Sequence, residues 1–172
     1  MEHKKGLQMK TVIEGLFISS IVLIAVVALG IFKIAEVWPA TIALIFFFES
    51  KAKMDNIKNI FLGGAMGIFL AYAMIQCVIF LGPIVMNAEL ALLIPLFVIV
   101  FLIVALGEVV HPFFNNYTFC YFTVALITGA KQTPVTSLIS LAVGGGFLVA
   151  MGVLMVRMIV KHATKKAHSA GA

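Results

Sequence analysis

Glu108 and His111 stand three residues apart, so on a continuing helix they share a face. Histidine titrates near neutrality, and such a pair can sense pH or hold a solute at a mouth. The plainer alternative is a headgroup-level pair at a helix end. Just beyond lie Pro112, Asn115 and Asn116, and an asparagine is a good N-cap for a helix beginning near Tyr117. Thr41, Gln76 and Thr118 are neutral polar residues inside apolar stretches. Threonine often bonds back to its own helix backbone, the plain reading for both. The amide of Gln76 needs a partner in hydrocarbon, so it should face a neighbouring helix or water. Thr41, Gln76, Glu108, His111, Asn115, Asn116 and Thr118 are therefore the candidate lining of a substrate pathway, with Glu108 and His111 a candidate gate.

The remaining chemistry is sparse. Glu14, Glu36, Glu49, Glu89 and Arg157 all fall near predicted segment ends, which argues against a proton-coupled pump. Neither CxxC nor HExxH occurs, and no Ser/His or paired Asp set lies in the apolar segments. Catalysis, a metal and a cofactor are thus not expected. Cys77 and Cys120 read as small apolar fillers.

The chain has 172 residues, of which 63% are hydrophobic and 11% charged. Its mean hydropathy is +1.17. A soluble domain of this size cannot hide that much apolar surface, so the bilayer must serve as solvent. The net charge of +5 is not a nucleic-acid footprint, because ten of the twelve Lys and Arg flank apolar segments. The basic N-terminus followed by an apolar run resembles a signal peptide. The run is too long for one and further spans follow, so a retained first helix is expected.

A long–short–long pattern of apolar segments occurs twice. Residues 15–32, 60–82, 90–107 and 137–160 are long, while 37–48 and 117–130 are short. About 20 helical residues cross a bilayer core. The short pieces reach only roughly 18–21 Å, as tilted spans or re-entrant segments. With six spans and the N-terminus inside, ten Lys and Arg lie inside against two outside, Lys33 and Lys131. With both short pieces re-entrant, the count falls to seven against five. The positive-inside rule prefers six spans with both termini cytoplasmic. Three spans per half is an odd number, so the halves, near 11–82 and 88–160, must be inverted. The expected fold is an all-α membrane protein occupying 1–172, with short tails at 1–10 and 161–172.

Gly63 and Gly67 form GxxxG in the third segment, and Ala142, Gly146 and Ala150 continue small-xxx-small spacing in the sixth. Such faces let helix backbones approach closely. Packing between halves is the first reading and a homo-oligomer contact the second. Short spans also favour association through hydrophobic mismatch. Phe46, Phe47 and Phe48 read first as lipid-facing filler. With Phe113 and Phe114, they offer a water-excluding constriction as the alternative.

VWPATIALIFFFES followed by KNIFLGGAMGIFLAYAMI, and YTFCYFTVALITGA followed by SLISLAVGGGFLVAMGVL, resemble the domain of unknown function 1097 family of small bacterial inner-membrane proteins. The resemblance covers most of residues 15–160 and implies a bacterial inner membrane, with no catalytic residue. The chain departs from it at Glu49–Ser50–Lys51, where a glycine-containing stretch is expected, and at HPFFNN before the second short element.

The expected function is a channel or facilitator for a small neutral or weakly acidic solute. A structural or accessory membrane protein without a pathway is the alternative. The partners expected are the lipid bilayer, further copies of the chain and a small solute, but no nucleic acid.

Overall fold

The computed structural model describes residues 9–31, 36–128 and 134–170, which are predominantly helical with no strand among them. Lys4, Lys5, Lys33 and Lys131 of the charge count lie outside the described residues. The helices are α1 (Met9–Ile31), α2 (Trp38–Glu49), α3 (Ile57–Val85), α4 (Ala88–Gly107), α5 (Asn116–Ile127), α6 (Pro134–Ile139) and α7 (Gly146–Ala170). A 3-10 turn, Met54–Asn56, leads into α3, and a π turn, Ser140–Gly145, joins α6 to α7. Among the described residues, three runs are long and apolar enough to cross a membrane: Met54–Val85, Ala88–Gly107 and Pro134–Met158. The two short apolar helices, α2 and α5, have 12 residues each. Many large apolar side chains face outward, among them Phe80, Phe97 and Val104. That is compatible with a bilayer around the helices rather than water.

Local chemistry sets the helix ends. Pro39 sits in the first turn of α2, where its missing N–H would have no partner anyway. α2 closes with the Lys51 N–H donating to the Phe48 carbonyl and the Ala52 N–H to the Phe47 carbonyl, both at 2.9 Å. This is a Schellman closure, which usually places glycine in the left-handed position. Here Lys51 and Ala52 take φ of 58° and 55° instead. Glycine was the residue type that the resemblance led one to expect in this stretch. α3 ends at Met86, also left-handed, and Asn87 caps α4 by accepting from Glu89 N and Leu90 N.

α3 and α5 form the most extensive helix pair. A Cβ at Gly67 would lie 2.4 Å from the Thr118 carbonyl oxygen, and one at Gly63 would lie 2.6 Å from Asn115 Oδ1. A side chain at either position would force the helices apart. The π turn and α7 pack on α2 in the same manner. There a Cβ at Gly145 would meet Ala43, and one at Gly152 would meet Phe47. α4 packs on α3, and α1 on α7.

Ala142 and Ala150 are exposed, and nothing lies within 4 Å of a Cβ at Gly146. The close approach on this helix is therefore made by Gly145 and Gly152, about a third of a turn from the stripe read in the sequence. The π turn adds a residue to the helical repeat and rotates the face presented to α2. The phenylalanine run is also corrected. Phe47 is fully buried, and Phe46 and Phe48 are half-buried in the core beside it, so none of them is lipid-facing filler.

Candidate functional site

α2 and α5 run antiparallel, with Phe46 over Tyr117 at 4.7 Å between ring centroids and Trp38 over Tyr121 at 6.0 Å. Tyr121 is fully buried, and its hydroxyl donates to the Pro39 carbonyl at 3.0 Å. Phe46 also approaches Tyr121, at 6.2 Å. Trp38, Phe46, Tyr117 and Tyr121 thus make an aromatic plug between the two short helices. A polar space lies at each end of it.

The first is a cleft of about 690 Å³ where α2 ends and α5 begins. Glu49, His111, Asn115, Asn116 and Tyr117 supply its polar groups, over an apolar wall that includes Ile103 and Phe114. The second is a pocket of about 20 Å³ where α2 begins and α5 ends. Glu36, Trp38, Tyr72, Thr128 and Ser137 line it. The Ser137 hydroxyl, itself buried, donates to the Glu36 carboxylate, joining segments 101 residues apart.

The sequence candidates divide accordingly. His111, Asn115 and Asn116 come together in the larger cleft. Thr118 is fully buried beneath it. Its hydroxyl donates to the Phe113 carbonyl at 2.6 Å and accepts from Asn115 N at 3.2 Å. Asn115 Oδ1 accepts from Thr118 N at 3.1 Å, completing a reciprocal capping box at the start of α5. Asn115 Nδ2 donates to the His111 carbonyl at 2.9 Å and to the Pro112 carbonyl at 3.2 Å. These polar groups hold the chain's turn and leave little to offer a solute.

Thr41 lines neither space, and its hydroxyl donates to the Trp38 carbonyl at 3.0 Å. Back-bonding of this kind satisfies a hydroxyl inside a helix. Gln76 is exposed on α3, away from both spaces. Its helix position places it on the same outward face as Tyr72, Ile79 and Phe80. Glu108 is exposed at the C-cap of α4 and does not line the cleft that His111 reaches. The chain bends after Glu108, so the shared helix face expected for the pair is not formed.

Sequence reasoning passed over Glu49, Tyr117 and the whole smaller pocket. Glu36 reads in the sequence only as a residue near a segment end, and Trp38 as an aromatic suited to the membrane interface. The available signal was a carboxylate and an indole two residues apart, directly before a proline that starts a helix. Among the described residues, no group of three or more His, Cys, Asp and Glu is placed to hold a metal ion.

No protein family, no characterised protein and no solved structure matches this chain.

Proposed function

We propose that the chain is an integral membrane facilitator that passes a small neutral or protonated solute along the α2–α5 interface. The observation that carries this reading is the pair of polar spaces at opposite ends of one short-helix pair, with the aromatic plug between them. Polar side chains in an apolar membrane interior are stable only when paired or wet, so their gathering at two points marks where water or a solute enters. Glu36 and Glu49 stand at the two ends, which disfavours an anion.

The proposed arrangement is six membrane segments in two inverted halves, with both termini cytoplasmic in a bacterial inner membrane. Two observations support it. The first is the ten-to-two distribution of Lys and Arg. The second is an exchange of partners: α3 packs on α5 while the π turn and α7 pack on α2, and α4 packs on α3 while α1 packs on α7. A two-fold axis in the membrane plane would generate such an exchange. In this frame the large cleft opens to the cytoplasm and the small pocket to the outside. The chain assembles with further copies of itself, and the outward stripe of Ala142, Gly146 and Ala150 is the close-packing face that favours this.

The plug also favours a second reading. Thr41 and Thr118 spend their hydroxyls locally, and Tyr121 is locked to Pro39. A plug that never opens describes an accessory membrane protein. Solute flux into proteoliposomes, screened from about pH 5 to 8, where histidine titrates, separates the two. Facilitated flux that changes in His111→Gln and Glu49→Gln is the expected result. Absence of flux for every small neutral or weak-acid solute, at any pH in that range, selects the accessory reading.

A further inference from the structure

The small pocket has a chemistry narrower than its position alone implies. About 20 Å³ of space open to a water-sized sphere holds one water or one group of that size. The Trp38 indole N–H is buried and has no acceptor among the described residues, although Trp38 lines this pocket. An indole N–H is a donor only, and leaving it unpaired in the interior is unfavourable because its lost hydration is not repaid. Among the other polar groups around the space the Glu36 carboxylate only accepts, whereas the Tyr72 phenol at the exposed edge can donate or accept. The Glu36 carboxylate already takes the Ser137 proton. The Thr128 hydroxyl gives its own proton to the Ala125 carbonyl at 3.1 Å. What fits is a group that accepts from Trp38 and donates toward Glu36, Ser137 or Thr128.

We infer that the pocket formed by Glu36, Trp38, Thr128 and Ser137 is a selectivity station for one neutral group that both donates and accepts hydrogen bonds. This rests on the reading of the pocket as one end of a solute path. A hydroxyl group or a water satisfies the site. An ammonium ion satisfies the acceptors but has no lone pair for Trp38. An anion satisfies Trp38 but meets the Glu36 carboxylate with a like charge and no proton to give. The pocket thus sorts solutes by hydrogen-bonding character, and the buried Ser137 hydroxyl holds the carboxylate in place between the two halves.

Trp38 is the chain's one tryptophan, so its emission reports the site directly. Purified protein in mild detergent is titrated with methanol, whose hydroxyl donates and accepts, with methylammonium, which donates only, and with formate, which accepts only. A saturable change in Trp38 emission with methanol alone is expected. Glu36→Gln removes the repelling charge and supplies an amide donor, so formate should become a saturating ligand of that variant. Saturation of the natural protein by methylammonium or formate overturns the proposal, and so does a methanol response that rises without saturating. Liposome flux without a Trp38 response removes this site and leaves the path. A Trp38 response without flux removes the path and leaves the site.

Discussion

The two short helices have the same length and nearly the same surroundings, yet they begin in opposite ways. α5 starts in a closed polar network: Asn115 and Thr118 cap each other, and the Asn115 amide ties down the turn from His111. α2 starts from Val37 with no side-chain cap. Beside it, the Trp38 indole and, in the π turn that packs on α2, the Ser140 hydroxyl are buried without hydrogen-bond partners among the described residues. Each helix is gripped by a glycine-bearing helix from the other half of the chain. The grip of α3 on α5 is seamless, whereas the grip on α2 passes through a π turn, a feature frequent at functional sites. A start whose polar groups are all paired reads as a fixed anchor. A start with unspent hydrogen-bonding capacity reads as the place where something else binds.

The largest test of this contrast is a valine at Gly67. Its Cβ would sit 2.4 Å from the Thr118 carbonyl oxygen, a backbone atom that cannot turn aside. Overpacking of that kind typically costs about 1–3 kcal/mol and occasionally more. Gly67→Val is expected to lower the unfolding midpoint in detergent sharply or to abolish folding. Gly146→Ala meets open space and should stabilise instead, by up to about 1 kcal/mol, since alanine is the better helix former. Equal effects at the two positions would erase the distinction between the gripped face and the open one.

Next in size is Asn115→Ala. It removes the acceptor for Thr118 N and the donor to the His111 and Pro112 carbonyls. Loss of an N-cap costs about 0.5–2 kcal/mol, and the upper part of that range is expected here. Val37→Asn at the start of α2 is expected to change stability little, because Val37 has helical φ and ψ of -86° and -23° where Asn115 is extended, and an asparagine there cannot reach the cap position. Thermal or denaturant unfolding of both variants measures the difference between a closed start and an open one.

A smaller effect is expected at the other end of α2. Lys51 occupies the left-handed position of a Schellman closure, at φ 58°. A non-glycine residue there carries a penalty of roughly 1–2 kcal/mol, part of which its hydrogen bonds offset. Lys51→Gly should raise the unfolding midpoint by the equivalent of about 1 kcal/mol. A decrease would mean that the lysine head contributes more than its backbone strain removes.

These residues also mark what the sequence could disclose. The two short helices were legible, within a residue or two at their starts, because each is a short apolar run, and the second also carries Asn115, a start signal that acts locally. Gly63 and Gly67 were legible as a close-approach face because GxxxG spacing follows from helix geometry alone. The stripe on the last long helix misled, because a π turn shifts the face and carries no local signature in Ser140–Gly145. The Glu108–His111 pairing misled because it assumed a continuing helix, and α4 stops at Gly107. The small pocket was illegible for a stronger reason. Glu36 and Ser137 meet across 101 residues, and nothing in either segment names the other.

The finest test is Ser140→Ala. Ser140 is fully buried in the π turn and its hydroxyl has no partner among the described residues. An unpaired buried hydroxyl has lost its hydration without recovering a hydrogen bond, so deleting it should be neutral or stabilising by up to about 1 kcal/mol. The matched change at the closed start, Thr118→Val, removes a hydroxyl that donates at 2.6 Å and accepts at 3.2 Å. It strands the Phe113 carbonyl and the Asn115 N–H and should cost about 1–3 kcal/mol. The sign of the Ser140 effect therefore carries the information. If Ser140→Ala costs as much as Thr118→Val, then Ser140 is paired in the folded protein by a water or by a mobile neighbour. The π turn would then be as closed as the start of α5, and the contrast between the two short helices would reduce to the Trp38 pocket alone.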